Sequence, residues 1–79
     1  MEKGQKILVD RIEEVCKMKG MTRYQLAYKS TVPLTTLTHI MKGSTKNPGI
    51  ITIFKICDGL GMSLMEFFDT EDFAELIKE

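Results

Sequence analysis

The sequence contains few of the residues that metal and redox sites require. It has no tryptophan, one histidine and two cysteines among 79 residues. Cys16 and Cys57 lie far apart and in no CxxC spacing, and two cysteines with one histidine supply too few ligands for a usual zinc site. We therefore interpret both cysteines as buried, reduced thiols, and we expect no metal and no other cofactor.

Signals for membranes, export and catalysis are missing as well. No apolar run approaches the ~20 residues that a transmembrane helix needs, and the N-terminal stretch MEKGQKILVDRIEE turns acidic too soon for a signal peptide. The sequence therefore predicts a cytoplasmic protein without membrane contact. It shows no Gly-rich phosphate loop, no HExxH and no GxSxG motif, so an enzyme is the least supported functional class.

The formal net charge is zero, but positive and negative residues are strongly separated along the chain. Residues 1–14 carry a net charge of −1, residues 15–57 carry seven cations and no acid, and residues 58–79 carry a net charge of −6. The basic segment favours nucleic-acid binding, and the acidic end would suit a basic protein partner.

The basic segment contains a pattern of two short helices joined by a tight turn. The first is predicted from about Arg23 to Ser30, because Thr22 and Gln25 form a capping-box pattern at its start. The second is predicted from about Leu34 to Lys42, with an apolar inner face. Its outer face carries short polar groups, an apolar tip and an imidazole, which are unlike the Glu/Lys mixture of an idle solvated helix. Together the two helices form a helix-turn-helix unit.

The remaining chain predicts a compact all-α domain of five helices, with residues 1–69 as the domain. A first helix over residues 1–19, a loop over residues 44–49, a helix over about residues 50–60 and a short helix opening at Ser63 complete it. Two helices have clear apolar faces, expected to point inward: Ile7, Leu8, Ile12, Val15, Cys16 and Lys19 in the first, and Ile50, Ile53, Phe54, Ile56, Cys57 and Leu60 in the fourth. Gly59 predicts a close packing contact, since glycine is otherwise costly inside a helix.

Residues 70–79 form an acidic amphipathic tail that could continue the fifth helix or restart as a short helix after Thr70. Phe73, Leu76 and Ile77 make an apolar stripe in this tail. That stripe is a candidate dimer surface, and folding back onto the domain is an equal alternative.

Three segments in this order resemble the phage-repressor and Cro type of helix-turn-helix domain, the XRE family. They are KGMTRYQLA, VPLTTLTHIMKG and NPGIITIFKICDGLGMSLMEFF, and the resemblance spans roughly residues 5–69. It implies a lambda-repressor-like fold and a bacterial or phage regulator of transcription. Such a protein binds double-stranded DNA sequence-specifically, usually as a homodimer, and repression is the expected effect.

The resemblance also implies roles for individual residues, with the helix over residues 34–42 in the major groove. The base readers by position are Leu34, Thr35, Thr38 and His39. The phosphate contacts by position are Thr22, Arg23, Lys42, Thr45 and Lys46. Tyr24 and Tyr28 are candidates either for further phosphate contact or for half-exposed packing. No Arg, Gln or Asn occupies a base-reading position, so we expect modest specificity per half-site.

Two positions depart from the family pattern. Thr31 stands where relatives commonly have Gly, so either the turn differs or strain is stored there. Pro33 stands where a capping Ser or Thr is usual, and its side chain cannot cap. A competing function is a protein-interaction module, such as an antitoxin-like partner, that uses the acidic segment over residues 66–79.

Overall fold

A computed structural model describes residues 1–78 and shows six α-helices and no strand in that range. The helices are α1 (Lys3–Lys19), α2 (Arg23–Ser30), α3 (Leu34–Lys42), α4 (Ile50–Leu60), α5 (Leu64–Phe68) and α6 (Glu71–Lys78). The expected all-α fold is confirmed. The count is six rather than five because the tail restarts as α6 after Thr70.

The unit of α2, turn and α3 begins at a capping box. The Thr22 hydroxyl accepts a hydrogen bond from the Gln25 backbone N–H at 3.1 Å, and the Gln25 side chain accepts from the Thr22 backbone N–H at 2.9 Å. These two bonds satisfy donors that a helix N-terminus leaves unpaired. The local sequence pattern therefore fixes the first residue of α2.

The tight turn between α2 and α3 contains a residue in the left-handed conformation, although this residue is a threonine rather than a glycine. Thr31 has φ +55° and ψ +33°, with its N–H directed at the Tyr28 carbonyl, while the Val32 N–H reaches the Ala27 carbonyl. This pair of hydrogen bonds is a Schellman motif, which requires a left-handed residue at that position. Strain is thus stored at Thr31, and Pro33 starts α3 without a side-chain cap.

The core forms where α2 crosses α4. A Cβ atom at Gly59 would lie 2.7–2.9 Å from the Cβ, N and Cα atoms of Ser30, which includes backbone that cannot move aside. The predicted close contact at Gly59 is confirmed. Around it lie fully or almost fully buried apolar side chains from five helices, among them Val15, Leu26, Leu37, Ile56 and Phe67.

Two predicted inner faces need correction. In α1 the buried residues are Gln5, Val9, Ile12 and Val15, whereas Ile7, Leu8 and Cys16 are half-buried and Lys19 is exposed. The buried face of α1 therefore follows Gln5, Val9 and Ile12, at steps of four and three residues, and Ile7, Leu8 and Cys16 lie at its edges. In α4, Ile50 and Phe54 are 56% and 49% exposed and Ile51 is 64% exposed. The core covers only one side of α4. The helix has more apolar residues than this side can bury, so some of them stay exposed.

The tail folds back onto the domain through its first aromatic residue. Phe73 is 6% exposed, and its ring centroid lies 4.7 Å from that of Phe68 and 6.1 Å from that of Phe67. Leu76 is half-buried and Ile77 is 84% exposed. In this chain Phe73 belongs to the core, so a dimer surface on α6 is reduced to Leu76 and Ile77.

The two cysteines are free thiols. Cys57 is buried and Cys16 is half-buried, so the expectation of burial holds fully only for Cys57. Burial raises the pKa of both thiols, which keeps them protonated and weakly nucleophilic near neutral pH.

Candidate nucleic-acid interface

The outer face of α3 presents two of the four predicted base readers fully. Thr35 and His39 are exposed and lie four residues apart, so they share one helix face. Thr38 is half-buried at the side of this face. Leu34 is half-buried because it packs against the core, so only part of its side chain is available to a ligand.

The loop that follows α3 is held by the carbonyl of His39. That oxygen accepts from the Ser44 N–H at 2.9 Å and from the Thr45 N–H at 3.4 Å. Gly43, with φ +79°, allows the chain to turn back over the end of α3. The loop residues therefore stay close to the C-terminal end of α3.

Two predicted phosphate contacts flank this loop as unpaired cations. Lys42 and Lys46 are exposed, and neither forms an ion pair with any residue among those described. Thr45 is half-buried between them. Two free ammonium groups on either side of a polar loop can attract a phosphate backbone without first losing a protein partner.

The start of α2 supplies the other predicted phosphate contacts. Thr22 and Arg23 are exposed, and α2 has no acidic residue in its first turn. The positive end of the helix dipole therefore adds to the Arg23 charge. The Thr22 hydroxyl accepts a cap bond from Gln25 and keeps its own O–H free to donate.

Arg23 has a competing partner inside the chain. Its Nη2 atom lies 3.2 Å from the Glu13 carboxylate of α1, and both side chains are about half exposed. An exposed pair of this kind contributes little stability, so an approaching phosphate can replace Glu13.

The sequence pattern undervalued the exposure of two tyrosines and missed one buried hydrogen-bonded side chain. Tyr24 and Tyr28 are 75% and 86% exposed. These exposures are larger than the alternative of half-exposed packing predicts. Their spacing of four residues on a short helix was the available signal. Gln5 is buried and donates to the carbonyls of Gly43 and Thr45, at 3.0 and 3.3 Å. No local sequence pattern predicts that contact, because the partners of Gln5 lie 38 and 40 residues away along the chain.

Other kinds of site find no support in the part of the chain that is described. Within residues 1–78, no three His, Cys, Asp or Glu side chains are grouped so that they could hold a metal ion. None of the six helices combines the length and apolarity needed to cross a bilayer.

Comparisons with known proteins support the helix-turn-helix fold. The sequence model of a helix-turn-helix family matches residues 12–67. The chain is also similar to the crystal structure of the wild-type restriction-modification controller protein C.Esp1396I, with a TM-score of 0.75 and 32% sequence identity over 91% of each chain. A comparison with curated proteins gives no match. The expected fold and the expected resemblance are both confirmed. The chain belongs to the XRE family of helix-turn-helix proteins, whose members are sequence-specific DNA-binding regulators of transcription.

Proposed function

We propose that this protein represses transcription as a homodimer that occupies an operator, with α3 of each subunit in the major groove. The observation that carries the proposal is the exposed face of Thr35 and His39, flanked by the unpaired cations Lys42 and Lys46. This face belongs to a stretch of sequence that has no acidic residue from Val15 to Cys57. A cytoplasmic location and the absence of catalysis belong to the same proposal.

The proposed base contacts follow from side-chain chemistry. The Thr35 and Thr38 hydroxyls can donate to or accept from several base edges, and their methyl groups can meet a thymine methyl. His39 can donate to or accept from a purine edge, and the exposed part of Leu34 can make only apolar contact. Because these contacts are not bidentate, symmetry and DNA shape must supply much of the selectivity.

The proposed phosphate contacts set the register of the protein on the duplex. Thr22 and Arg23 approach the backbone from the start of α2, and Lys42, Thr45 and Lys46 approach it from the end of α3. Contacts of this class give salt-dependent affinity that is largely independent of sequence. Groove contacts then select the operator.

The proposed homodimer needs a surface, and α4 offers the better one. Ile50, Ile51 and Phe54 are each about half exposed or more and lie within five residues on one helix. Leu76 and Ile77 of α6 remain the second candidate. An apolar group of three large side chains on a small protein is typical of an interaction site rather than of solvated surface.

The similar solved structure suggests a narrower version of the proposal. That protein is named as a restriction-modification controller. We propose that the present chain shares control by operator occupancy, and a restriction-modification gene set is the first place to look for its operator.

A salt titration of DNA affinity tests the proposal. We expect a log–log slope with a magnitude of about four or more for a dimer that neutralises several phosphates. Arg23→Glu/Lys46→Glu should lower that magnitude by about two per subunit. Lys6→Glu/Lys78→Glu makes the same change in net charge at two lysines that are not among the proposed phosphate contacts, and should lower it much less.

The competing function uses the acidic end of the chain. Glu71, Asp72 and Glu75 of α6 are exposed, so a basic protein surface could dock on them. Under this alternative, DNA affinity at low ionic strength would be weak and insensitive to both charge-reversal pairs. Charge reversal on α6 would instead abolish capture of the protein partner.

A further inference from the structure

Gln5 is a buried polar side chain whose two amide N–H donors are both used. It is 8% exposed and lies in the first turns of α1. Its Oε1 atom accepts from the Glu2 N–H at 3.0 Å, and its Nε2 atom donates to the Gly43 carbonyl at 3.0 Å and to the Thr45 carbonyl at 3.3 Å. A primary amide has two N–H donors, and each finds an acceptor in the loop after α3.

The loop is therefore clamped from two directions. The His39 carbonyl holds the N–H groups of Ser44 and Thr45, and the Gln5 amide holds the carbonyls of Gly43 and Thr45. Gly43 alone would leave the chain very free, because it lacks a Cβ atom. Four of its polar backbone groups are thus bonded, which restricts the conformations open to the loop.

The hydrogen bonds from the Gln5 amide also fix the direction in which the chain continues from Thr45 to Lys46. A peptide group is planar, so holding the Thr45 carbonyl oxygen also sets the direction of the Lys46 N–H and the position of the Lys46 Cα atom. The exposed Lys46 side chain thus starts from a defined point. Ordering that segment only on binding would cost conformational entropy and would weaken affinity.

We propose that Gln5 is a positioning residue for DNA binding, which acts by holding residues 43–46 in the conformation that contacts a phosphate. The proposal rests on the phosphate contacts of Thr45 and Lys46 proposed above. Gln5 itself touches no DNA in this account. It transmits the position of α1 to the loop that follows the recognition helix α3.

A double-mutant cycle on DNA affinity tests this role. Gln5→Met keeps the length of the side chain and removes both donors. With folding checked by circular dichroism, we expect Gln5→Met to weaken binding about five- to tenfold and to lower the salt slope by about one per subunit, as for the loss of one phosphate contact. Lys46→Met alone should have a similar effect.

The cycle separates action through the loop from general loss of stability. Gln5→Met/Lys46→Met should lose clearly less affinity than the product of the two single losses, because Gln5→Met acts partly through the contact that Lys46→Met already removes. Gln5→Met/Arg23→Met should show multiplied losses, since Arg23 lies on a different helix. If Gln5→Met is poorly folded, Gln5→Asn replaces it, because its amide is one methylene too short to reach both carbonyls.

Three outcomes would overturn the proposal. A folded Gln5 variant with unchanged affinity and slope shows that the clamp is irrelevant to binding. Multiplied losses in the pair with Lys46→Met show that Gln5 acts elsewhere. If Lys46→Met alone has no effect, Lys46 does not contact a phosphate, and Gln5 cannot act through it. DNA binding itself would still stand in that case, provided that the salt slope is intact.

Discussion

Thr31 shows at the residue scale how the turn geometry overrides a local preference. Within residues 1–78 it is the one non-glycine residue with a positive φ, at +55°. A branched Cβ makes this conformation costly, yet the Schellman motif at the end of α2 requires it. The Thr31 hydroxyl donates to the Ser30 carbonyl at 2.6 Å, which recovers part of the cost.

Thr31→Gly should stabilise the protein. Glycine adopts a left-handed conformation without steric cost, and its greater freedom in the unfolded chain offsets part of the gain, so we expect a net increase of about 0.5–1 kcal/mol in the free energy of unfolding. Chemical denaturation measures it. Thr31→Ala keeps the left-handed strain of an L-residue and should gain less. A loss of stability in Thr31→Gly would show that the hydroxyl contact outweighs the strain.

Residues whose partners are local were predictable, and residues whose partners are distant were not. The capping boxes at Thr22–Gln25 and Ser63–Glu66 can be read directly from spacing, and both form. Gln5 and Arg11 contact carbonyls far along the chain, and Arg11 reaches the Phe67 carbonyl 56 residues away at 2.7 Å. Their roles depend on how the helices pack, which a helix pattern does not contain.

The packing of α2 on α4 is the decisive contact at the scale of elements. It carries the helix-turn-helix unit on the central helix, and it depends on the missing side chain at Gly59. The helix bounds of this region were predictable because caps and turn residues mark them. The covered side of α4 was not, because Ile50 and Phe54 extend its apolar face beyond the area that α2 and α5 can cover.

Gly59→Ala should destabilise the fold although alanine is the better helix former. The added Cβ would lie 2.8 Å from the Ser30 backbone nitrogen, so the helices must separate. We expect a net loss of about 2 kcal/mol or more, after a gain of about 1 kcal/mol from helix propensity.

Gly4→Ala is the matched control for this packing contact. A Cβ atom there would lie 3.6 Å from a Leu76 methyl group, which is an ordinary contact. Its free energy of unfolding should stay unchanged or rise. Equal effects of the two substitutions in thermal and chemical denaturation would contradict the close-packing account.

At the scale of the whole molecule, the sequence separates a basic segment, which contains the proposed DNA contacts, from an acidic end. The seven cations of residues 15–57 include the three proposed phosphate-contacting cations Arg23, Lys42 and Lys46, whereas residues 58–79 carry a net charge of −6. Such a separation orients the protein as it approaches a polyanion. The boundary between the two regions falls within α4, which carries the proposed dimer surface.

The dimer surface can be assigned by comparing two matched substitutions. Ile51→Lys on α4 and Ile77→Lys on α6 each add one charge at an exposed isoleucine, at 64% and 84% exposure. We expect Ile51→Lys to shift sedimentation to the monomer and to weaken operator binding at least tenfold, since two linked half-sites bind more tightly than one. Ile77→Lys should leave both unchanged. The reverse result would move the dimer surface to α6.

The most direct test of the central claim is selection of binding sites from random DNA by the wild-type protein and by Thr35→Ala and His39→Ala. We predict an enriched inverted repeat with half-sites about 34 Å apart, one helical turn. Each substitution should relax the preference at its own base position and leave the salt slope unchanged, because phosphate contacts remain. An unaltered preference in both variants, or no enriched sequence at all, would contradict the claim that the exposed face of α3 reads DNA.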